Sequence, residues 1–105
     1  MITTKHWRQA GILHRTDGPA IEYANGAEAW YQNGVPHRTD GPAIITTEGN
    51  QYWYLNGQLH RTDGPAIEYA DGTKAWCLED RSFSKQEYAR LTKNPSSAQE
   101  ALEGT

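Results

Sequence analysis

Hydrophobic and polar positions alternate over short runs, and turn residues separate these runs. Residues 20–24 (AIEYA) and 27–31 (AEAWY) both show the two-residue alternation that is typical of a β-strand. Asn25-Gly26 lies between them, and this dipeptide is a strong signal for a tight hairpin turn. A second such dipeptide, Asn33-Gly34, follows shortly afterwards. The pattern predicts a β-hairpin and then a structured connector.

The same pattern returns every 23 residues. The hexapeptide His-Arg-Thr-Asp-Gly-Pro begins at His14, His37 and His60, and each copy opens a longer unit. Units of this length are too small to bury an apolar face alone, so they bury it by stacking on their neighbours. We predict a mostly β fold in which tandem hairpins form one elongated antiparallel sheet over residues 1–83. The predicted units are a truncated unit 1–13 and three full units, 14–36, 37–59 and 60–82.

The turn at Asn25-Gly26 sets the expected strand register. If these two residues alone close the turn, Ile21 lies opposite Trp30 and Glu22 lies opposite Ala29. The same register pairs an isoleucine with a tryptophan in each unit, and such cross-strand pairs stabilise sheets. We expect a ladder of these pairs to form the core, together with the equivalent tryptophan of the truncated unit. The tryptophans concerned are Trp7, Trp30, Trp53 and Trp76.

The opposite face of the predicted sheet is small and polar in the first full unit, but the second unit places Ile45 and Tyr52 there. Tyr31 and Tyr54 are predicted on the same side. An apolar cluster on a polar face is typical of a contact surface. We predict a partner surface made of Tyr31, Ile45, Tyr52 and Tyr54, with acidic Glu22, Glu28 and Glu68 as secondary contacts. The alternative is that the cluster packs under the tail or a neighbouring loop.

The chain changes character after the third unit. Residues 84–87 (SKQE) form a capping-box sequence, so we predict a helix from about Lys85 to Thr92, ended by Asn94-Pro95. A stack of repeats needs a terminal cap. We therefore assign residues 84–105 to a capping helix and tail. Ser97 could begin a second short helix, with fraying of this segment as the alternative.

The recurring histidine, arginine and aspartate invite three interpretations: a metal site, a catalytic site or a structural ladder. Neighbouring hairpins advance by roughly 9–10 Å, too far for their histidines to share a metal. No recurring serine or cysteine nucleophile accompanies them. We therefore predict ion pairs between arginine and aspartate of the same or the next unit, with the histidines holding backbone carbonyls or packing on tryptophan. The residues are His14, Arg15, Asp17, His37, Arg38, Asp40, His60, Arg61 and Asp63.

Charge and composition indicate which classes of ligand and which cellular location are expected. The formal net charge is −3 and no basic stripe is present, which disfavours binding to nucleic-acid backbones or anionic membranes. Cys77 is the single cysteine and is expected to be a small, partly buried hydrophobe. The first residues lack an apolar signal region, and no run reaches membrane-spanning length. We expect a cytoplasmic protein without a cofactor or bound metal.

The motif Trp-x-x-Asn-Gly-x-x-His-Arg-x-Asp-Gly-Pro-Ala, followed by a hairpin, resembles the variant class of MORN (membrane occupation and recognition nexus) repeats. Such units also resemble those of many small bacteriophage and bacterial proteins. The resemblance covers about residues 7 to 82 and implies a non-catalytic scaffold or interaction module. The chain departs from the standard repeat, which has glycine directly after histidine where this chain has Arg15. The lipid association of standard repeats therefore does not carry over.

These observations together predict a non-enzymatic module that binds another protein. By analogy with the phage proteins, the expected partner is a host protein or complex, such as an antiviral-defence complex, and the expected role is stoichiometric inhibition in the host cytoplasm. The alternative is a structural or assembly protein that self-associates, or dimerises, through an open sheet edge. An enzyme that uses the histidine, arginine and aspartate rows is a weaker third hypothesis.

Overall fold

The computed structural model of the chain describes residues 3–92. Within this range the chain forms fourteen short strands and one helix, α1 (Lys85–Thr92), which has the predicted bounds. The predicted second helix after Ser97 lies outside the described residues. The strands are β1 (Lys5–His6), β2 (Arg8–Gln9), β3 (Ile12–Leu13), β4 (Ile21–Glu22), β5 (Glu28–Ala29), β6 (Tyr31–Gln32), β7 (Val35–Pro36), β8 (Ile44–Ile45), β9 (Gln51–Tyr52), β10 (Tyr54–Leu55), β11 (Gln58–Leu59), β12 (Ile67–Glu68), β13 (Lys74–Leu78) and β14 (Arg81–Phe83).

Eight of these strands form one antiparallel sheet in the order β1-β4-β5-β8-β9-β12-β13-β14. The other six form three separate hairpins, β2-β3, β6-β7 and β10-β11. The molecule is elongated, with extents of 59 × 32 × 19 Å. The predicted mostly β architecture, a long antiparallel sheet of hairpins followed by a C-terminal helix, is confirmed.

Each repeat contributes two hairpins that meet at its tryptophan. In the first full unit, β4 and β5 join the long sheet, while β6 and β7 form a separate hairpin. Trp30 lies between β5 and β6, and its backbone N–H donates to the carbonyl of Ala43 in the next unit, at 2.6 Å. Arg15 and Gly34 add backbone bonds between successive short hairpins, to Tyr31 and Leu13. Stacking therefore binds both rows of hairpins into one body.

The predicted register of the first hairpin is wrong by one residue. Ile21 pairs with Ala29 and Glu22 with Glu28, so Trp30 is not the partner of Ile21. The cause is a three-residue connection, in which the Gly26 N–H donates to the Tyr23 carbonyl at 2.9 Å and Gly26 has a φ of 96°. This is a type I turn followed by a left-handed glycine. Because side chains alternate along a strand, the extra residue moves the tryptophan to the other face.

The buried interior consists mainly of small residues. Ala20, Ala43 and Ala66 are fully buried, Ala29 is 2 % exposed and Ile21 is 6 % exposed. The tryptophans and the tyrosines of the sheet remain partly exposed, because a single sheet has no second layer of strands among residues 3–92 to cover them. The expected isoleucine–tryptophan core is therefore not formed. The molecule is stabilised instead by close backbone packing and by contacts within each face.

Candidate functional site

Cross-strand pairing sorts the side chains of the long sheet into two rows on opposite faces. Tyr52 pairs with Ile44 and Ile67, whereas Ile45 pairs with Glu28 and Gln51. The prediction that Ile45 and Tyr52 share a face is therefore wrong, for the same one-residue reason as the register. One row contains Lys5, Glu22, Glu28, Ile45, Gln51, Glu68 and Lys74; the other contains His6, Ile21, Ala29, Ile44, Tyr52, Ile67 and Ala75.

Five tyrosines lie on the face of the isoleucine row. Tyr31 and Tyr54 follow members of this row by two positions, which keeps them on the same side. Burial raises the pKa of Tyr54 above its ordinary value, and neighbouring Asp80, Tyr52 and Tyr31 raise it further. Tyr69 contacts Tyr52 edge to face, with ring centroids 6.3 Å apart. We call this surface the tyrosine face; its tyrosines are Tyr23, Tyr31, Tyr52, Tyr54 and Tyr69.

The paired residues of the tyrosine face carry no charge between β4 and β13, Asp80 lies near Tyr54 at one end, and the face is partly open to solvent. Between β4 and β13 its row of paired residues contains only isoleucine, alanine and tyrosine. Tyr23 is 40 % exposed and Tyr69 is 38 % exposed, and the other three tyrosines are partly buried. The predicted glutamates Glu22, Glu28 and Glu68 all lie on the opposite face. The predicted partner surface is thus divided between two sides of the sheet.

The opposite face carries the tryptophans, each covered by a group from its own chain. Arg15, Arg38 and Arg61 place their Cζ atoms 3.9, 3.8 and 3.6 Å from the ring centroids of the three preceding tryptophans. Stacking of a guanidinium on an indole is favourable, and the energy rises when water is excluded. We call this surface the tryptophan face. It contains Trp7, Trp30, Trp53 and Trp76 with the three arginines that cover the first three.

The glycine of the hexapeptide closes the other side of each arginine. A Cβ atom added to Gly18, Gly41 or Gly64 would lie 2.8, 2.7 and 2.7 Å from the Cζ atom of the arginine three residues earlier. No side chain fits in that space while the guanidinium stays in place. Each guanidinium is therefore held between an indole ring and a glycine backbone, which explains why arginine and glycine occur together in every copy of the motif.

Hydrogen bonds fix the plane of each guanidinium. Arg38 donates from Nε to Asp40 Oδ1 at 3.0 Å and from Nη1 to the Pro42 carbonyl at 3.1 Å. The same two bonds occur in the first and third units. The bond from Arg38 lowers the pKa of Asp40, and that from Arg61 lowers the pKa of Asp63. The predicted ion pairs thus form within each unit.

The histidines join the beginning of each unit to its end through an unexpected bond. Nδ1 of His14, His37 and His60 accepts a hydrogen bond from a backbone N–H nineteen residues later, at 3.0, 2.9 and 3.1 Å. The expectation that they hold backbone carbonyls is therefore wrong, since the ring is the acceptor. The donors Asn33, Asn56 and Glu79 lie in the short hairpin turn at the end of the same unit. Within residues 3–92, no three histidine, cysteine, aspartate or glutamate side chains are grouped so that they could hold a metal ion.

The second unit differs from its neighbours in one ion pair. Arg15 donates from Nη1 to Glu22 at 3.3 Å, and Arg61 donates from Nη1 to Glu68 at 3.2 Å. Ile45 occupies the corresponding position of the second unit, so Arg38 has no such carboxylate. The sequence already contained this difference, but its meaning depended on the contact between the arginine and the glutamate.

At the fourth tryptophan, Trp76, the helix α1 takes the place that an arginine has at the first three. Ser84 Oγ caps the helix by accepting the Glu87 N–H at 3.2 Å. Tyr88 is buried, and its ring lies 6.5 Å from that of Trp76. Lys85 Nζ lies 5.8 Å from the same indole. Sequence reasoning identified the helix and placed Tyr88 with Leu91 on one of its sides, but the contact of Tyr88 with Trp76 is seen only in the structure.

Cys77 is 3 % exposed in β13, and burial raises the pKa of its thiol. Among the described residues, the single helix is too short to cross a membrane. In comparisons with known proteins, no family model matches the chain, and neither a curated protein nor a solved structure shows significant similarity to it.

Proposed function

We propose that the protein is a non-enzymatic module that binds another protein through its tyrosine face. The observation that carries this proposal is the concentration of five tyrosines on the side of the sheet whose paired residues carry no charge between β4 and β13; Tyr23 and Tyr69 are the most exposed. Tyrosine supplies a large apolar contact area together with a hydroxyl that can bond to a partner, and it is enriched in interface centres. The lack of charge among the paired residues of this face also favours an interface, because the centres of protein interfaces are depleted of charged residues.

The rigidity of the sheet favours this role. Tyr52 and Tyr69 support each other edge to face, so little side-chain freedom remains to be lost on binding. The opposite face has most of its arginine hydrogen bonds satisfied internally. The tyrosine face is therefore the better candidate for a tight protein contact.

The finer proposal concerns the partner. The resemblance to MORN-type repeats of small phage and bacterial proteins supports a phage-encoded inhibitor that binds a host protein complex, such as an antiviral-defence complex, in the cytoplasm. The small size of the chain suits stoichiometric binding. This part of the proposal depends on analogy, whereas the choice of surface depends on the residues.

The test compares two double variants, one on each face of the sheet. Purified protein carrying Tyr52→Ser and Tyr69→Ser should lose capture of its partner from host extract, while Ile45→Ser with Gln51→Ser should retain it. Both are checked first for cooperative thermal unfolding. Capture is measured as the molar ratio of co-eluting protein to bait. Equal capture by the wild type and the tyrosine variant would remove the tyrosine face from consideration.

A second candidate function is self-association, which the first strand favours. Among residues 3–92, β1 pairs only with β4, whereas α1 contacts β13 and β14 at the far end of the sheet. Strand addition through β1 would then join two copies head to head and stop at a dimer. Sedimentation equilibrium over a hundredfold range of concentration distinguishes the cases: a dimer that Lys5→Pro abolishes supports this candidate, and a monomer throughout rejects it.

A further inference from the structure

Residues 3–92 contain three junctions between successive units of the long sheet, and a side chain bridges two of them. Thr4 Oγ1 accepts the Ala24 N–H at 3.0 Å, and Asn50 Oδ1 accepts the Ala70 N–H at 2.7 Å. Both bonds span 20 residues, and a shift of two repeats converts one into the other. Each bond joins the start of a strand in one unit to the turn of the next unit.

The middle junction lacks this bond. The residue at the corresponding position is Ala27, whose side chain has no acceptor, and the corresponding donor is the N–H of Thr47. In the described part of the chain, no group accepts a hydrogen bond from that N–H. Thr47 is exposed, so a ligand or water can reach it. The first and second units therefore meet without the bridge that the other two junctions have.

A gap lies at the middle junction. A Cβ atom added to Gly49 would lie 3.5 Å from the Cβ atom of Ala70, so the turns of the second and third units touch. One added to Gly26 would have, among residues 3–92, no atom within 4 Å beyond its chain neighbours. The turns of the first and second units are therefore apart. The space has a volume of about 320 Å³, and ligand pockets have roughly 300–1,000 Å³. We call it the Ala27 gap.

The Ala27 gap is lined by apolar and polar groups. Its apolar side chains include Tyr23 and Ile44, and its polar residues include Glu28, Thr47 and Glu48. The Thr47 hydroxyl donates to Glu48 Oε2 at 3.2 Å. Among the described residues, no lysine or arginine forms an ion pair with either glutamate. The gap thus combines one open N–H donor with two carboxylates that can accept.

We propose that the Ala27 gap binds the amide side chain of a glutamine or asparagine of the partner protein. The amide oxygen accepts the Thr47 N–H, as Asn50 accepts its donor in the next junction. The amide nitrogen donates to Glu28 or Glu48, since a primary amide has two N–H donors. The inference rests on the proposed function, because the occupant belongs to a partner seated on the tyrosine face, which includes Tyr23.

Other side chains match the gap less well. A carboxylate could accept the Thr47 N–H, but Glu28 and Glu48 would repel it. A lysine could pair with the two glutamates, but it has no acceptor for the N–H. A serine or threonine hydroxyl both accepts and donates, but it is smaller and leaves more of the gap empty. An amide offers both functions and fills more of the space.

The first experiment uses propionamide, which reproduces the glutamine side chain from Cβ onward. In NMR titrations of the full chain, it should give a saturable shift at the Thr47 amide. Butan-2-one keeps the carbonyl and lacks the NH2 group, so it should bind at least about threefold more weakly. Equal binding of these two probes, no saturable shift with propionamide, or tighter binding of propionate or butylamine would overturn the proposal.

The second experiment supplies the missing acceptor from within the chain. Ala27→Asn should slow hydrogen exchange at the Thr47 amide about fivefold relative to Ala27→Leu, and it should prevent propionamide binding. Leucine is the matched control, because its side chain has the size of asparagine but cannot accept a hydrogen bond. The fold accommodates polar residues here, since the other units have Thr4, Asn50 and Thr73 at this position. Equal exchange rates in the two variants would show that the N–H does not point into the gap and would overturn the proposal.

Two controls exclude occupants from the protein itself. Residues 93–105 include Asn94 and Gln99, whose side chains are amides. If replacing both by alanine in the full chain accelerates exchange at Thr47, the occupant is this segment, and the assignment to a partner is wrong. A Thr47 shift that grows with protein concentration in the absence of a probe would identify a second copy and overturn it equally.

The capture assay separates this inference from the proposed function. Ala27→Asn should lower the molar ratio of captured partner, and Thr73→Asn, the equivalent change in the third unit, should not. If Ala27→Asn captures normally while the Tyr52 and Tyr69 double variant does not, the gap is unused and the tyrosine face stands. If the double variant captures normally and Ala27→Asn does not, the tyrosine face is wrong and the gap stands.

Discussion

The two faces of the sheet treat their aromatic residues in opposite ways. On the tryptophan face, an arginine or α1 covers each indole. On the tyrosine face, among the described residues, no arginine or helix covers the phenols, which pack on one another and on the isoleucine row, and two remain more than a third exposed. One face is thus used for internal contacts in every unit, and the other is left available. The comparison indicates that the tryptophan face stabilises the repeat, while the tyrosine face is available for contact with a partner.

The difference follows from the position of the hexapeptide. His-Arg-Thr-Asp-Gly-Pro precedes β4, β8 and β12, and its arginine turns back across the sheet to the preceding tryptophan. Only one such segment exists for each pair of hairpins, so it can cover only one face. Ala20, Ala43 and Ala66, fully buried beside the same turns, pack the backbone closely on that side.

The comparison is tested most strongly by removing one aromatic ring from each face. Trp53→Ala should cost about 3–5 kcal/mol, because it removes a large ring and the surface on which Arg61 stacks. Tyr69→Ala should cost about 1 kcal/mol or less, since Tyr69 is 38 % exposed. Urea denaturation followed by circular dichroism measures both. Similar costs for the two variants would contradict the proposed division of roles.

The sandwich of arginine between indole and glycine predicts a coupled effect. Gly41→Ala should destabilise the protein by about 1–3 kcal/mol, because the new Cβ would displace the Arg38 guanidinium. The same substitution in an Arg38→Ala background should cost little. A double-mutant cycle measures the coupling, expected at about 1–2 kcal/mol. Additive effects of the two changes would mean that the glycine is needed for some other reason.

The smallest expected effect comes from the ion pair at the edge of the tryptophan face. Glu68→Gln removes the carboxylate that accepts from Arg61 at 3.2 Å and should cost about 0.5–1 kcal/mol, decreasing as salt is added. Glu28→Gln is the matched control, because Glu28 lies on the same face and, within residues 3–92, forms no ion pair with an arginine. Thermal unfolding at low and high salt measures both. A cost independent of salt would exclude an electrostatic origin.

Particular residues explain what sequence reasoning achieved. The 23-residue period and the capping box at Ser84 predicted the hairpins and α1, since both signals are local. Asn25-Gly26 and Asn33-Gly34 are the same dipeptide, but only the second closes a two-residue turn, with φ of 53° and 82°. Local sequence does not distinguish these turns. The choice depends on pairing with neighbouring strands, and one residue decides which face receives each tryptophan.

The repeat, the strand-forming runs and the helix were determined by the sequence alone, and so was the pairing of arginine with aspartate, though not the choice between the same unit and the next. These features depend on interactions between residues that are close along the chain. The tertiary structure decided which residues share a face, which group covers each indole, and that Tyr88 binds the hexapeptide turn. These contacts join residues that are far apart along the chain, from 8 positions for Arg15 and Trp7 to 27 for Tyr88 and Arg61. Their geometry exists only once the units have stacked.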